Sequence, residues 1–185
     1  MRDPDGRQGS VAAAALVWFL LILVLPAAAE TWPRRGDLHV TDLADVLTAP
    51  EESRLRTELA ALKAETGVTM AVLTLRSRAD YDATRSLAEF ATGVFNAWGI
   101  GTAERNDGIL ILVATEDREL RIALGAGYDQ GYDVLAEQIA ARAFLPELRV
   151  GSAASAILTG SREVMARIAR RHAAGLGSEA PMRRT

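Results

Sequence analysis

Five consecutive apolar residues, Ile109-Leu110-Ile111-Leu112-Val113, constrain this chain more than any other stretch. Side chains along a strand alternate between the two faces of its sheet, so a strand apolar at every position is covered on both. The following segment behaves differently. Beyond a tight turn at Thr115 to Arg118, Leu120, Ile122 and Leu124 alternate with Glu119, Arg121 and Ala123. The two segments together read as a β-hairpin.

The elements around the hairpin are predicted from periodicity and caps. Thr48-Ala49-Pro50-Glu51 is a capping-box signature with proline in the first turn, so a helix starts there. Leu55, Leu59 and Leu62 form its apolar stripe and Gly67 stops it. Val68 to Leu75 is rich in aliphatic and β-branched residues and reads as a strand. A second helix is expected from about Asp82 to Trp98, with Leu87, Phe90, Val94 and Trp98 inward, and a polar loop follows over Gly101 to Gly108. A third runs from about Asp133 to near Pro146, burying Leu135, Ile139 and Phe144. A fourth runs from Ala153 to Arg171, with Ile157, Leu158, Val164, Met165 and Ile168 as its stripe. The order is helix, strand, helix, hairpin, helix, helix. Helices on both faces of a small mixed sheet are the economical packing for an α/β chain of this kind.

Composition narrows the function classes. The 185 residues contain no cysteine, which excludes disulfides, thiol catalysis and cysteine-ligated metals. A formal net charge of −3, with Lys63 the only lysine, argues against a nucleic-acid partner. Val11 to Leu25 is an unbroken apolar run, followed by Pro26 and Ala27-Ala28-Ala29. Residues 1–29 therefore read as a secretory signal peptide cut before Glu30, with an uncleaved membrane anchor as the competing reading. In either case the remainder is expected outside the cytoplasm, periplasmic or secreted. Residues 30–37, with Pro33 and Arg34-Arg35-Gly36, look like a linker, and 173–185 like a disordered tail.

Two patterns flank the hairpin. Gly125-Ala126-Gly127-Tyr128-Asp129-Gln130-Gly131 lies between a strand and a helix, but its G-x-G-x-x-x-G spacing is one residue too long for a dinucleotide fingerprint. The preceding strand is also a hairpin arm, so no dinucleotide is expected, and Gly125 and Gly127 are read as structural, like Gly108. Asn106-Asp107-Gly108 precedes the first arm. A hairpin brings the start of one strand beside the end of the other, so Asp107, Asp129 and Asp133 are expected at one sheet edge. Asp42 and Asp45, before the first helix, are further candidates for the same area. Converging carboxylates repel unless a cation joins them, and an oxygen-only set selects calcium or magnesium. Turn formation by Asn106-Asp107-Gly108 and N-capping by Asp133 are the plainer readings of the same residues. No G-x-S-x-G, H-E-x-x-H or Walker motif is present. His39 and His172 lie near the chain ends, His172 beside Arg170 and Arg171 at a helix C-terminus where cations are favoured.

The order of motifs resembles the TPM domain. The resemblance rests on Asp42-Leu43-Ala44-Asp45-Val46-Leu47, Trp98-Gly99-Ile100-Gly101, Asn106 to Ala114, Asp117-Arg118 and Leu124-Gly125-Ala126-Gly127. Pro146, Arg149 and Gly151 continue it, and the likeness spans roughly Val40 to Ala169, within an expected domain of residues 38–172. It implies a three-layer α/β/α sandwich, export or membrane attachment, and an acidic site able to hold calcium. One branch of the family is associated with acid phosphatase activity. Where the family pattern is Asp-Asn-Gly this chain has Asn106-Asp107, and Asp129 replaces the usual glutamate after the glycines. Two functions are compatible with this. The first is a calcium-binding interaction module serving envelope membrane proteins, with Tyr128 and Tyr132 contacting partners. The second is a phosphomonoester hydrolase in which Asp107, Asp129 and Asp133 hold a divalent ion and Arg105 neutralises the phosphate.

Overall fold

A computed structural model of the chain describes residues 32–178. The segment read as a signal peptide or anchor lies outside the described residues, as does the chain beyond Ser178. Four strands form one mixed sheet in the order β1 (Val40–Asp42), β2 (Met70–Leu75), β3 (Ile109–Ala114), β4 (Glu119–Leu124). The first three are parallel, and β4 runs antiparallel to β3 as the second arm of the hairpin.

Every residue of β2 and β3 is buried. Alternation divides them between two cores. Met70, Val72, Ile109, Ile111 and Val113 face α1 (Ala49–Thr66), α3 (Gln130–Ile139) and α5 (Ala153–Val164). Ala71, Leu73, Leu75, Leu110, Leu112 and Ala114 face α2 (Leu87–Trp98) through Phe90, Ala91, Val94 and Phe95. Helices therefore cover both faces of the sheet. The crossovers β1-α1-β2 and β2-α2-β3 step across it in the same direction, yet α1 and α2 cover opposite faces. Two right-handed crossovers stepping one way would put both helices on one face, so one of the two has the rare left-handed sense.

Helix α1 begins and ends at the residues its sequence nominates. The Thr48 amide donates to Glu51 Oε2 at 2.9 Å, and Gly67 closes the helix at φ 74°. Helix α2 starts later than its periodicity suggests. Ser86 and Glu89 cap each other reciprocally, while the Asp82 carboxylate closes a separate turn by accepting from the Thr84 and Arg85 amides. Helix α3 starts earlier than Asp133 because Asp129 is its cap. The chain also runs helically through Pro146. A wide π-helical turn over Ala140–Phe144 carries the Leu145 amide back to Ala140 O, five residues earlier. Pro146, which lacks an N–H and cannot continue an α-register, then falls in the first turn of α4 (Leu145–Arg149). A second such turn, Met165–Ala169, joins α5 to α6 (Arg170–Ala173). Strand β1, three residues long, is too short to show any period in the sequence.

The stretch read as a linker is docked. The Trp32 ring lies 5.5 Å from that of Phe90 and covers Gly93, where an added Cβ would come within 2.2 Å of the indole. Trp98 Nε1 donates to Pro33 O at 2.8 Å, and Arg35 returns a hydrogen bond to Trp98 O at 2.9 Å. The described beginning of the expected tail is held too. Tyr132 donates its hydroxyl proton to Leu176 O, and Arg171 Nη2 donates to Gly177 O at 2.9 Å.

The sheet's two edges end differently. On β1 the first outward amide, that of Val40, is occupied by Asp37 Oδ1, which also accepts from the His39 amide. On β4, Gly125 N–H donates to Gly108 O at 3.0 Å, which sets the phase of the antiparallel ladder. Arg121 and Ala123 therefore bond β3, and the main-chain groups of Leu120, Ile122 and Leu124 point away from it. No described residue hydrogen-bonds them.

Two predictions follow from this packing. Trp32→Ala is expected to lower unfolding free energy by about 2 kcal/mol in urea titration, because it empties the notch over Gly93; a free linker would give no change. Glu58 on α1 receives two 3.0 Å hydrogen bonds from Arg162 on α5. These bonds chiefly hold its carboxyl below the usual glutamate range. A carboxyl lowered on folding stabilises above its unfolded pKa and loses that contribution as pH falls through the folded one. Arg162→Ala should thus cost about 1 kcal/mol at neutral pH, with the difference from wild type vanishing in strong acid.

Candidate functional site

Antiparallel pairing opposes Ile109 to Leu124, so the loop entering β3 and the loop leaving β4 share one rim of the sheet. Their main chains touch. Gly127 N–H donates to Asn106 O at 2.8 Å. A Cβ on Gly125 would lie 2.1 Å from Asn106 O, one on Gly127 2.2 Å from Arg105 O, and one on Gly108 2.3 Å from Ile100 O. These three glycines are structural, as expected: no side chain fits between the loops at Gly125 and Gly127, and at Gly108 one would strike the start of its own loop. Asn106 adopts φ 47°, a left-handed conformation that asparagine tolerates better than most residues.

Asp107 is 2% exposed. Its Oδ2 lies 2.8 Å from Arg105 Nη2, and its Oδ1 is buried without a hydrogen-bond partner. Arg105 also donates from Nη1 to Thr66 O at 3.3 Å, at the C-terminal end of α1. The guanidinium therefore spans from a buried carboxylate to the helix end, where unpaired carbonyls favour a cation. The Tyr128 hydroxyl donates to the main-chain oxygen of Asp107 at 2.9 Å. Burial, with the Asp107 charge beside it, pushes the Tyr128 hydroxyl pKa up, so it stays a donor at any physiological pH. Tyr128 stacks on His172 at 4.2 Å between ring centroids and meets Tyr132 edge-on at 5.4 Å. Both tyrosines are buried, 9% and 1% exposed, so the expectation that they contact partners is corrected. They are the lining of this rim.

Asp107, Asp129, Asp133 and Asp42, expected to share a cation, have separate employment. Asp129 caps α3, accepting from the Gly131 amide at 2.8 Å and the Tyr132 amide at 3.3 Å. Asp133 is exposed in the first turn of that helix, where a negative charge suits the dipole. Asp42 is at the opposite rim. It ends β1, opposite Thr74, which pairs with Val113, four residue steps along β3 from Ile109 and roughly 13 Å away. There its carboxylate accepts from the Thr74 hydroxyl and, at 2.8 Å, from the Leu47 amide, closing the loop into α1. Among the described residues no three acidic or histidine side chains form a group able to hold a metal. This residue set does not fit a calcium or magnesium centre. Arg105 is tied between Asp107 and Thr66, so it is not a free phosphate ligand either.

Two features of the rim carry no sequence signal. Arg105 and Asp107 stand two apart in an irregular loop, where no periodicity says which side chains meet. His172 reads as a helix-end cation by sequence; its contact with the rings of Tyr128 and Tyr132 joins segments distant in the chain.

A family model described as the TPM domain matches residues 40–167. The chain belongs to the TPM domain family. Three solution structures are similar to it in fold. The N-terminal domain of a P. gingivalis protein has a TM-score of 0.62 at 25% identity, covering 76% of this chain and 86% of that one. BA42 from the psychrophilic bacterium Bizionia argentinensis has 0.52 at 20% identity, covering 69% and 83%. The N-terminal domain of cg2496 from Corynebacterium glutamicum has 0.50 at 18%, covering 73% and 86%. No protein of curated function matches the chain. In this TPM domain the matched region starts at Val40, so the docked Trp32 segment lies before it.

Substitution at the rim should separate structure from capping. Gly127→Ala is expected to cost at least 2–3 kcal/mol by denaturant titration, since the neighbour it meets is main chain, whereas Asp129→Ala should cost about 1. Asp133→Ala should be close to neutral.

Proposed function

We propose that this TPM domain acts outside the cytoplasm as a binding module in the upkeep of envelope membrane proteins. Support comes first from how its polar residues are used. Asp107 is paired, Asp129 caps a helix, Arg105 is anchored, and among the described residues no serine or carboxylate at the rim is hydrogen-bonded to a histidine base. Metal-assisted phosphomonoester hydrolysis therefore has no observation in its favour.

The observation that carries the binding reading is the open edge of β4. Its outward main-chain groups at Leu120, Ile122 and Leu124 have no partner in the described chain, while the opposite edge is three residues long and has its first outward amide occupied by Asp37. Natural sheets seldom leave a six-residue edge unguarded, and an extended peptide adding there would gain main-chain hydrogen bonds. Its partner is taken to be an extended segment of an envelope or membrane protein, not a nucleic acid, since the chain carries a net charge of −3.

A photo-reactive residue at Glu119 tests this in cells. Crosslinks to envelope proteins are expected, and Leu120→Pro should abolish them while the domain stays folded and exported, because that amide makes no bond to β3. Crosslinks unchanged by the proline, or robust chelator-sensitive turnover of a generic phosphoester by the purified protein, would overturn the reading.

A further inference from the structure

We infer that Arg105 is the resident counter-ion of the β3–β4 rim, standing where a shared calcium ion is expected from the sequence. The inference concerns how the rim is held together and does not depend on the β4 edge.

A carboxylate as buried as that of Asp107 is costly without a cation. Within the protein, that cation is the Arg105 guanidinium, 2.8 Å from Oδ2. The arginine is not a passing surface contact, although its side chain is 46% exposed. Its second bond reaches Thr66 O, and its head group lies over Gly67, where an added Cβ would approach Nη2 to 2.8 Å. Gly67, left-handed at φ 74°, ends α1 and leaves the space the guanidinium fills. The ion pair thus links the loop entering β3 to the end of α1, the role a shared metal would otherwise perform.

A hard divalent ion has no comparable seat. Calcium takes six to eight oxygens. Asp107 offers one oxygen without a partner among the described residues, Oδ1; Asp129 uses Oδ1 to cap α3; Asp133 is exposed on that helix; Asp42 is at the other rim; and among the described residues no three of these side chains group together. At Asp107 itself, Oδ2 is already held by the arginine and Oδ1 is buried.

Thermal melting of the full chain tests this, with calcium, with magnesium and with chelator, on wild type, Asp107→Asn, Arg105→Gln and the double variant. Wild type and Asp107→Asn are expected to respond identically to either ion, since no ion engages Asp107 while Arg105 is present. Arg105→Gln should melt about 5–10 °C lower, because it strands a buried charge, and the double variant should recover most of that loss. Calcium should raise the melting point of Arg105→Gln more than that of the double variant. If Arg105→Gln does not fold alone, a folded double variant gives the same answer, because the lethal element is then the unpaired carboxylate. A calcium response in wild type that Asp107→Asn removes would overturn the inference. So would an Arg105→Gln protein as stable as wild type, or a double variant no better than Arg105→Gln.

Discussion

The whole molecule depends on two adjacent strands being dry on both faces. Because β2 and β3 expose nothing to water, each alternate side chain needs its own covering layer, and the chain divides its helices to supply two. The larger core gathers α1, α3 and α5; the smaller is left to α2 with help from the N-terminal segment. This unequal division explains why Trp32, Pro33 and Arg35 are recruited. One helix cannot cover a four-stranded face, and an aromatic strap before the first strand extends it. It also explains the unusual hand of one crossover, since a chain stepping steadily across its sheet reaches both faces only by breaking the usual rule once.

At the rim where the hairpin opens, main-chain contact governs everything else. Two loops approach so closely that only glycine fits at Gly125 and Gly127, and Asp107 lies buried beside that approach. Once buried, that carboxylate has to be neutralised, and the nearest cation in the chain is two residues away. The tyrosines then close over the pair, one donating to the main chain of Asp107 and the other to the segment after α6. The acidic look of the surrounding sequence is thus divided between helix caps, a loop closure on the far rim and one internal ion pair.

Membership of the TPM family and likeness to three bacterial domains establish the fold, and the chemistry then has to be read from these particular side chains. They are arranged to hold the domain together. What the fold leaves available is main chain along β4, and that directs attention from the aspartates to an edge.

Much of this was legible in sequence. Local rules act over a few residues: the capping box at Thr48 and Glu51, the stop at Gly67 and the hairpin at Thr115 to Arg118 all lie within one turn of the contacts that require them. The uniformly apolar run of β3 likewise dictated cover on both faces. Other features needed the tertiary structure, because they depend on residues distant in sequence. Strand β1 exists only as a partner for β2, and α2 begins where Ser86 and Glu89 cap each other, not where the apolar stripe begins. Pro146 is absorbed by a wide turn, and the aspartates separate because β1 ends at the rim opposite to the one where β3 begins. Sequence by itself determined that the longer segments, β1 apart, are helix or strand and which face of each seeks burial, since those follow from propensity and period. Which carboxylates meet, and what neutralises the buried one, was decided by strand direction and loop contact, which no local pattern encodes.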